Sequence, residues 1–105
     1  MSYQVRLTQE AKSNIAAISG YIAKDSPANA RRWRNRIRER IGSLKDFPTR
    51  HEIIYLASLV GRDVRHTIFG VYNILYAIVE SDVVVIAVRH GARQPLTPEE
   101  VRRLS

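Results

Sequence analysis

Cysteine is absent from the 105 residues, which excludes disulfide cross-links, thiolate nucleophiles and cysteine-ligated metals and fits a reducing compartment. No apolar stretch approaches the roughly 20 residues needed to span a bilayer, and Met1-Ser2-Tyr3-Gln4 begins a strand pattern rather than a leader. The cytoplasm is the expected location, with no membrane partner. Metal-ligand spacing is missing as well: the histidines, His51, His66 and His90, are scattered, without HExxH or clustered carboxylates. No metal and no cofactor is expected. Neither GxSxG nor GxxxxGK[ST] occurs, which removes elbow-type serine hydrolases and P-loop nucleotide triphosphatases. Repeats, linkers and low-complexity tracts are also lacking, so residues 1–105 read as a single folded domain.

Lysine is scarce. Lys12, Lys24 and Lys45 are the only lysines among 17 basic residues; against 10 acidic residues these give a net charge of +7. An arginine-rich surface suits bidentate contact with phosphates or carboxylates, so an acidic partner is implied. The densest charge falls on a predicted second helix, where Arg31, Arg32, Arg34, Arg36, Arg38 and Arg40 fan around the side opposite Trp33 and Ile37. The short link before it reads as a packed hairpin rather than a helix-turn-helix, which favours a basic surface for an acidic partner over sequence-specific DNA reading.

Periodicity supplies the elements. Tyr3–Leu7 alternates as an edge strand. Thr8 reads as the N-cap of a helix to about Lys24, with Ala11, Ile15, Ile18 and Ile22 on its apolar side and Lys12, Asn14 and Ser19 elsewhere. Ser26-Pro27 restarts the chain as N-cap and first helical residue of a helix to about Lys45, whose buried stripe is Ala30, Trp33, Ile37, Ile41 and Leu44. Extended segments follow at Ile53–Leu56, Asp63–Phe69, Val71–Val79 and Val83–Val88, and Glu99–Leu104 reads as one helical turn or a mobile tail. The fold class is α+β: β-α-α-β-β-β, a helical hairpin on one face of a mainly antiparallel sheet, the other face free for work.

The apolar run Val83–Val88 ends in Arg89-His90-Gly91-Ala92-Arg93, so a rigid strand delivers cations to a fixed place. Arg65, Arg89, His90 and Arg93 are the candidates for binding a target. A metal-free ribonuclease would need a base, an acid and cations for the phosphorane, for which Arg65, His66, His90 and Arg93 are the candidates. Alternation puts Arg65 and His66 on opposite faces, and Arg89 and His90 likewise. Arg65 with Arg93 is the preferred pair. The competing reading has Arg65 and Arg89 in ion pairs with Asp63, Glu80 or Asp82, and His90 capping the strand before Gly91. Tyr72 and Tyr76 share a face that could stack on bases, and the preferred reading makes them core aromatics with wet hydroxyls.

Leu7-Thr8-x-x-Ala11, Ile18-x-x-Tyr21-Ile22, Pro27-x-x-Ala30, Ile41-x-x-Leu44-x-x-Phe47-Pro48, Val64-Arg65, Val71-Tyr72-Asn73-Ile74-Leu75-Tyr76 and His90-Gly91-Ala92-Arg93 stand in an order that resembles the ParE/RelE superfamily of type II toxin–antitoxin (plasmid stabilisation) toxins, and within it the ParE branch. The resemblance implies a toxin that inhibits DNA gyrase and forms a hetero-oligomer with a cognate antitoxin whose acidic segment wraps it. Its alternative is a RelE-like, ribosome-dependent endoribonuclease of messenger RNA. RelE-like members cut with basic sheet residues and a tyrosine near the C-terminus. Here Asn73 stands where the cutting branch would place an arginine, and no tyrosine follows Arg93. Those departures favour inhibition over cleavage, with Arg93 the clearest match to a working position.

Overall fold

Thr8 ends a strand and starts a helix within one residue. In extended conformation, its Oγ1 accepts a hydrogen bond from the Ala11 amide at 3.1 Å, satisfying one of the orphan N–H groups of a helix start. A computed structural model describes residues 2–104, with Met1 and Ser105 outside the described range. After β1 (Gln4–Leu7), helix α1 runs Gln9–Asp25. Ser26 repeats the device by accepting from the Asn29 amide at 3.1 Å, and Pro27 opens α2 (Pro27–Gly42). Proline is harmless there because its missing N–H has no intrahelical partner to lose. Ile37, Ile41 and Leu44 are buried as the spacing predicts, while Trp33 stays half-buried. The helix tightens into a 3₁₀ turn at Ser43–Lys45, and a second such turn follows at Pro48–Arg50.

The polar side of α1 departs from expectation. Ser19 is buried, and its hydroxyl accepts from Arg34 Nη1 at 2.6 Å across the hairpin. Asn14 Oδ1 accepts from the Val88 amide at 3.0 Å. Periodicity counts hydrophobic side chains and is blind to polar ones placed to satisfy buried donors.

The remaining strands are β2 (Ile53–Tyr55), β3 (Val64–Phe69), β4 (Tyr72–Val79) and β5 (Asp82–His90). They form one five-stranded sheet in the order β1-β5-β4-β3-β2. β1 runs parallel to β5 and every other pairing is antiparallel, so the predicted α+β architecture holds with a mixed sheet. Two-residue turns close the hairpins at Gly70-Val71 and Glu80-Ser81, with positive φ at Gly70 (61°) and Glu80 (57°). Leu75 pairs with Ala87 but Tyr76 pairs with Val85. Ile86 is therefore one residue too many, a bulge. Thr8 Oγ1 donates to its carbonyl at 3.1 Å.

The sheet carries a core on each face. Ile74, Tyr76, Val83, Val85 and Val88 pack beneath the helical hairpin, while Val64, Leu75, Ala77, Ile86 and Ala87 face the other way with Leu96 and Val101. The second face is therefore not free, which corrects the expectation. Helix α4 (Pro98–Leu104) lies on it, joined by α3 (Ala57–Val60), a short helix the sequence did not announce. Asp63 Oδ1 accepts from the Ala57 amide at 2.8 Å to start α3, and Arg102 Nη2 donates to the Leu59 carbonyl at 2.5 Å to tie α4 to it. The supposed tail is held because Val101 is fully buried and Thr97 caps the helix. Among the described residues no helix is long and apolar enough to cross a membrane.

Candidate functional site

What α4 leaves uncovered on the second face is a cleft of about 350 Å³ at the end of the sheet where β5 stops. Register decides its contents. His66 pairs with Leu75, and Asn73 with Arg89, so His66, Asn73 and Arg89 share the face of Leu75. Arg93 arrives from the turn after β5, with Gln94-Pro95-Leu96 forming the wall. That turn is closed by the Gly91 amide donating to the Val71 carbonyl at 2.7 Å. The approach needs glycine: a Cβ on Gly91 would meet that carbonyl oxygen at 3.2 Å. Tyr55 fixes the wall by donating its hydroxyl to the Leu96 carbonyl at 2.7 Å, and burial pushes its ionisation upward. Arg89 Nη2 donates to the Gln94 carbonyl at 2.9 Å. Among the described residues the exposed Arg93 side chain has no hydrogen-bond or ion-pair partner, and no carboxylate lines the cleft.

Arg65 does not join this group, so the preferred pairing of Arg65 with Arg93 is corrected. It pairs with Tyr76, on the helical-hairpin side, where its Nη1 donates to the carbonyls of Thr49 (2.9 Å) and His51 (2.6 Å). Nor do the anticipated ion pairs form. Asp82 binds Arg6 at 3.0 Å, and Asp63 is the cap of α3. His90 acts as the competing reading supposed: its Nδ1 accepts from the Ala92 amide at 3.0 Å, while the ring stands edge-on to Tyr72 with centroids 5.5 Å apart.

Of the two histidines at the cleft, His66 is engaged at both ring nitrogens and His90 at one. His66 Nδ1 lies 3.2 Å from Asn73 Oδ1, and its Nε2 lies 3.3 Å from Glu52 Oε1. Each ring nitrogen faces a side-chain oxygen, so both edges of the His66 ring are turned to protein groups rather than to an open substrate position. His90 keeps only Nε2 free. Nearby His51 is held neutral to lower pH, first by burial and then by Arg50, Arg40, His66 and Arg65. Among the described residues no group of three or more His, Cys, Asp or Glu is placed to hold a metal ion.

Residues 5–95 match the family described as "ParE toxin of type II toxin-antitoxin system, parDE". The chain belongs to the ParE toxin family. No curated protein sequence matches it. Among solved structures it is similar to the chromosomal ParDE toxin–antitoxin system of P. aeruginosa, with a TM-score of 0.70 and 13% identity over 85% of this chain and 96% of that one. It is also similar to the RelBE2 toxin–antitoxin complex of Mycobacterium tuberculosis, with a TM-score of 0.56 and 22% identity over 86% of this chain and 99% of that one. At such identities the likeness establishes a shared fold.

The ParE-family chain holds a second cleft that sequence reasoning missed, about 560 Å³, between α2 and the β3–β4 turn. Its floor is aromatic: Trp33 meets Phe69 at 6.3 Å and Tyr72 at 5.5 Å, both edge-on. Arg40 leans over Phe69, its Cζ 5.7 Å from the ring centre, and donates to the Ile68 carbonyl at 2.5 Å. Trp33 was legible only as a stripe residue, Phe69 as a strand end and Tyr72 as one of two aromatics sharing a strand face. Their meeting depends on how the hairpin seats on the sheet, which no local spacing encodes.

Proposed function

We propose that this ParE-family toxin works by binding: it inhibits DNA gyrase through the cationic cleft at the end of β5, and a cognate antitoxin neutralises it in a hetero-oligomer. The observation that carries this reading is the state of the cleft's ionisable groups. Arg89 and Arg93 present positive charge in a cleft without a lining carboxylate, while His66 has an oxygen at both ring nitrogens. Cations without a free acid–base pair suit recognition of an anionic surface rather than cleavage. The family match supports a type II toxin of the ParE kind, for which the resemblance implies gyrase as the target, and the solved relatives, being toxin–antitoxin assemblies, support an antitoxin as partner.

The alternative, ribosome-dependent cleavage of messenger RNA, needs Arg65, His66, His90 and Arg93 to act on one phosphate, yet Arg65 is spent on backbone carbonyls of the opposite face. Purified toxin in a gyrase supercoiling assay, beside a translating extract whose message is mapped by primer extension, separates the two. Inhibited supercoiling with an intact message is expected; a cut message with unaffected supercoiling would overturn the proposal. Arg93→Ala is expected to weaken inhibition about tenfold or more, as loss of a hydrogen bond from a charged group does, with unchanged melting. Undiminished toxicity at equal expression would remove Arg93 from the site.

A further inference from the structure

Three depressions at the tip of the sheet share their walls. The aromatic cleft under α2 includes Gly70, Val71 and Tyr72, and the groove over the tip includes the same residues together with Asn73, His90 and Gly91. These last three also line the cleft that holds Arg89 and Arg93. The depressions therefore form one saddle that crosses from one face of the sheet to the other around the β3–β4 turn.

Rings run along its bed. Phe69 meets Trp33, Trp33 meets Tyr72, and Tyr72 meets His90, each pair edge-on at 5.5 to 6.3 Å. Val71 stands on the crest with 58% of its surface exposed. Guanidiniums border the rings at both ends, Arg32, Arg36 and Arg40 on α2, Arg89 near the end of β5 and Arg93 beyond it. The α2 arginines recur every fourth residue, so they stack on one side of the helix about 6 Å apart. Among the described residues no carboxylate lines any of the three depressions, and the Arg36 side chain has no hydrogen-bond or ion-pair partner.

We infer that this saddle holds a single strand of nucleic acid, gripped by its phosphates and bedded by its bases, without sequence preference. Cations bordering a line of rings match the two repeating parts of such a strand, since each nucleotide brings one phosphate and one π face. An acidic peptide would use the guanidiniums but has no systematic use for the row of rings. The α2 face is the half of the saddle that lies outside the cleft proposed for gyrase, and its test needs no gyrase, so the two readings fail separately.

Trp33 is the only tryptophan in the chain, so its fluorescence reports occupancy of the saddle directly. Purified toxin is titrated with a short oligothymidylate, an abasic strand of the same length and an oligoglutamate, between about 50 and 200 mM salt. Oligothymidylate is expected to quench Trp33 and to bind at least about tenfold more tightly than the abasic strand, as stacked bases require. Arg36→Glu is expected to weaken binding about tenfold and to flatten the salt dependence by about one phosphate contact. Arg38→Glu makes the same charge change on another side of α2, in the groove against α1, and should leave binding within about twofold. Equal loss in both variants would reduce the effect to net charge and overturn the site. So would oligoglutamate or the abasic strand binding as tightly as oligothymidylate, or no quenching at all. Melting curves of both variants, expected to match the parent because each arginine is exposed, exclude misfolding as the cause.

Discussion

Tyr76 is the largest of the fully buried side chains, and it carries a hydroxyl into the core beneath the hairpin, where it donates to the Pro48 carbonyl at 2.5 Å. Burial pushes its ionisation up to about 12 against the ordinary 10, the charges of Arg65 and Arg50 opposing in part. The folded state keeps a proton that the unfolded chain has released, so stability should fall as pH rises from 10 towards 12. Tyr76→Phe should abolish most of that alkaline decline while costing about 1–2 kcal/mol at neutral pH for the orphaned carbonyl; denaturant melts at several pH values measure both. His51 has the opposite sense. Its ring stays neutral below the usual 6.5 when folded, so the protein loses stability as pH falls through that value and the unfolded state takes up the proton first. A His51→Gln variant should melt with a flatter profile between about pH 5 and 7. Glu80 holds a φ of 57° in the turn between β4 and β5, a conformation asparagine enters more readily. Glu80→Asn should raise stability by about 0.5–1 kcal/mol.

At the scale of elements, the helical hairpin was legible because its signals are local: Thr8, Ser26 and Pro27 mark the starts, and the Ala30–Leu44 stripe marks the buried side. The same grammar was present for α4 and passed over. Thr97 accepts from the Glu100 amide at 3.2 Å while Glu100 Oε1 accepts from the Thr97 amide at 2.9 Å, a reciprocal capping box that Thr97-Pro98-Glu99-Glu100 spells out. Those same bonds to Thr97 hold the Glu100 carboxyl below its usual range. The segment was read as a tail because seven residues show too little periodicity to declare a face. Thr97→Ala should cost about 1 kcal/mol and speed amide exchange in α4 before the sheet; exchange that stays slow there would mean the burial of Val101 alone holds the helix. The candidate site was legible in part. Alternation separated Arg65 from His66 correctly, but which of them joined Arg93 depended on pairings between strands distant in sequence, so the preferred partner was the wrong one.

For the whole molecule, charge and its arrangement set behaviour. Seventeen basic residues face ten acidic ones, and the described residues form only two ion pairs, Arg6 with Asp82 and His66 with Glu52. Self-repulsion therefore outweighs surface pairing. Added sodium chloride should raise the melting temperature until the repulsion is screened; a fall would show that the two ion pairs matter more than the excess charge. Which surface receives the cations is itself a global outcome of Ile86. Were the bulge ironed out with Ile86 kept, strict alternation along β5 would send Arg89 under the helices and His90 to the open cleft. The bulge shifts the phase of everything after it by half a period, so deleting Ile86 would leave Arg89 opposite Asn73 at the cleft, whereas one residue inserted between Val88 and Arg89 would turn Arg89 to the helical side. Such an insertion, one codon long and invisible to any count of charge, would replace the guanidinium at the cleft by an imidazole.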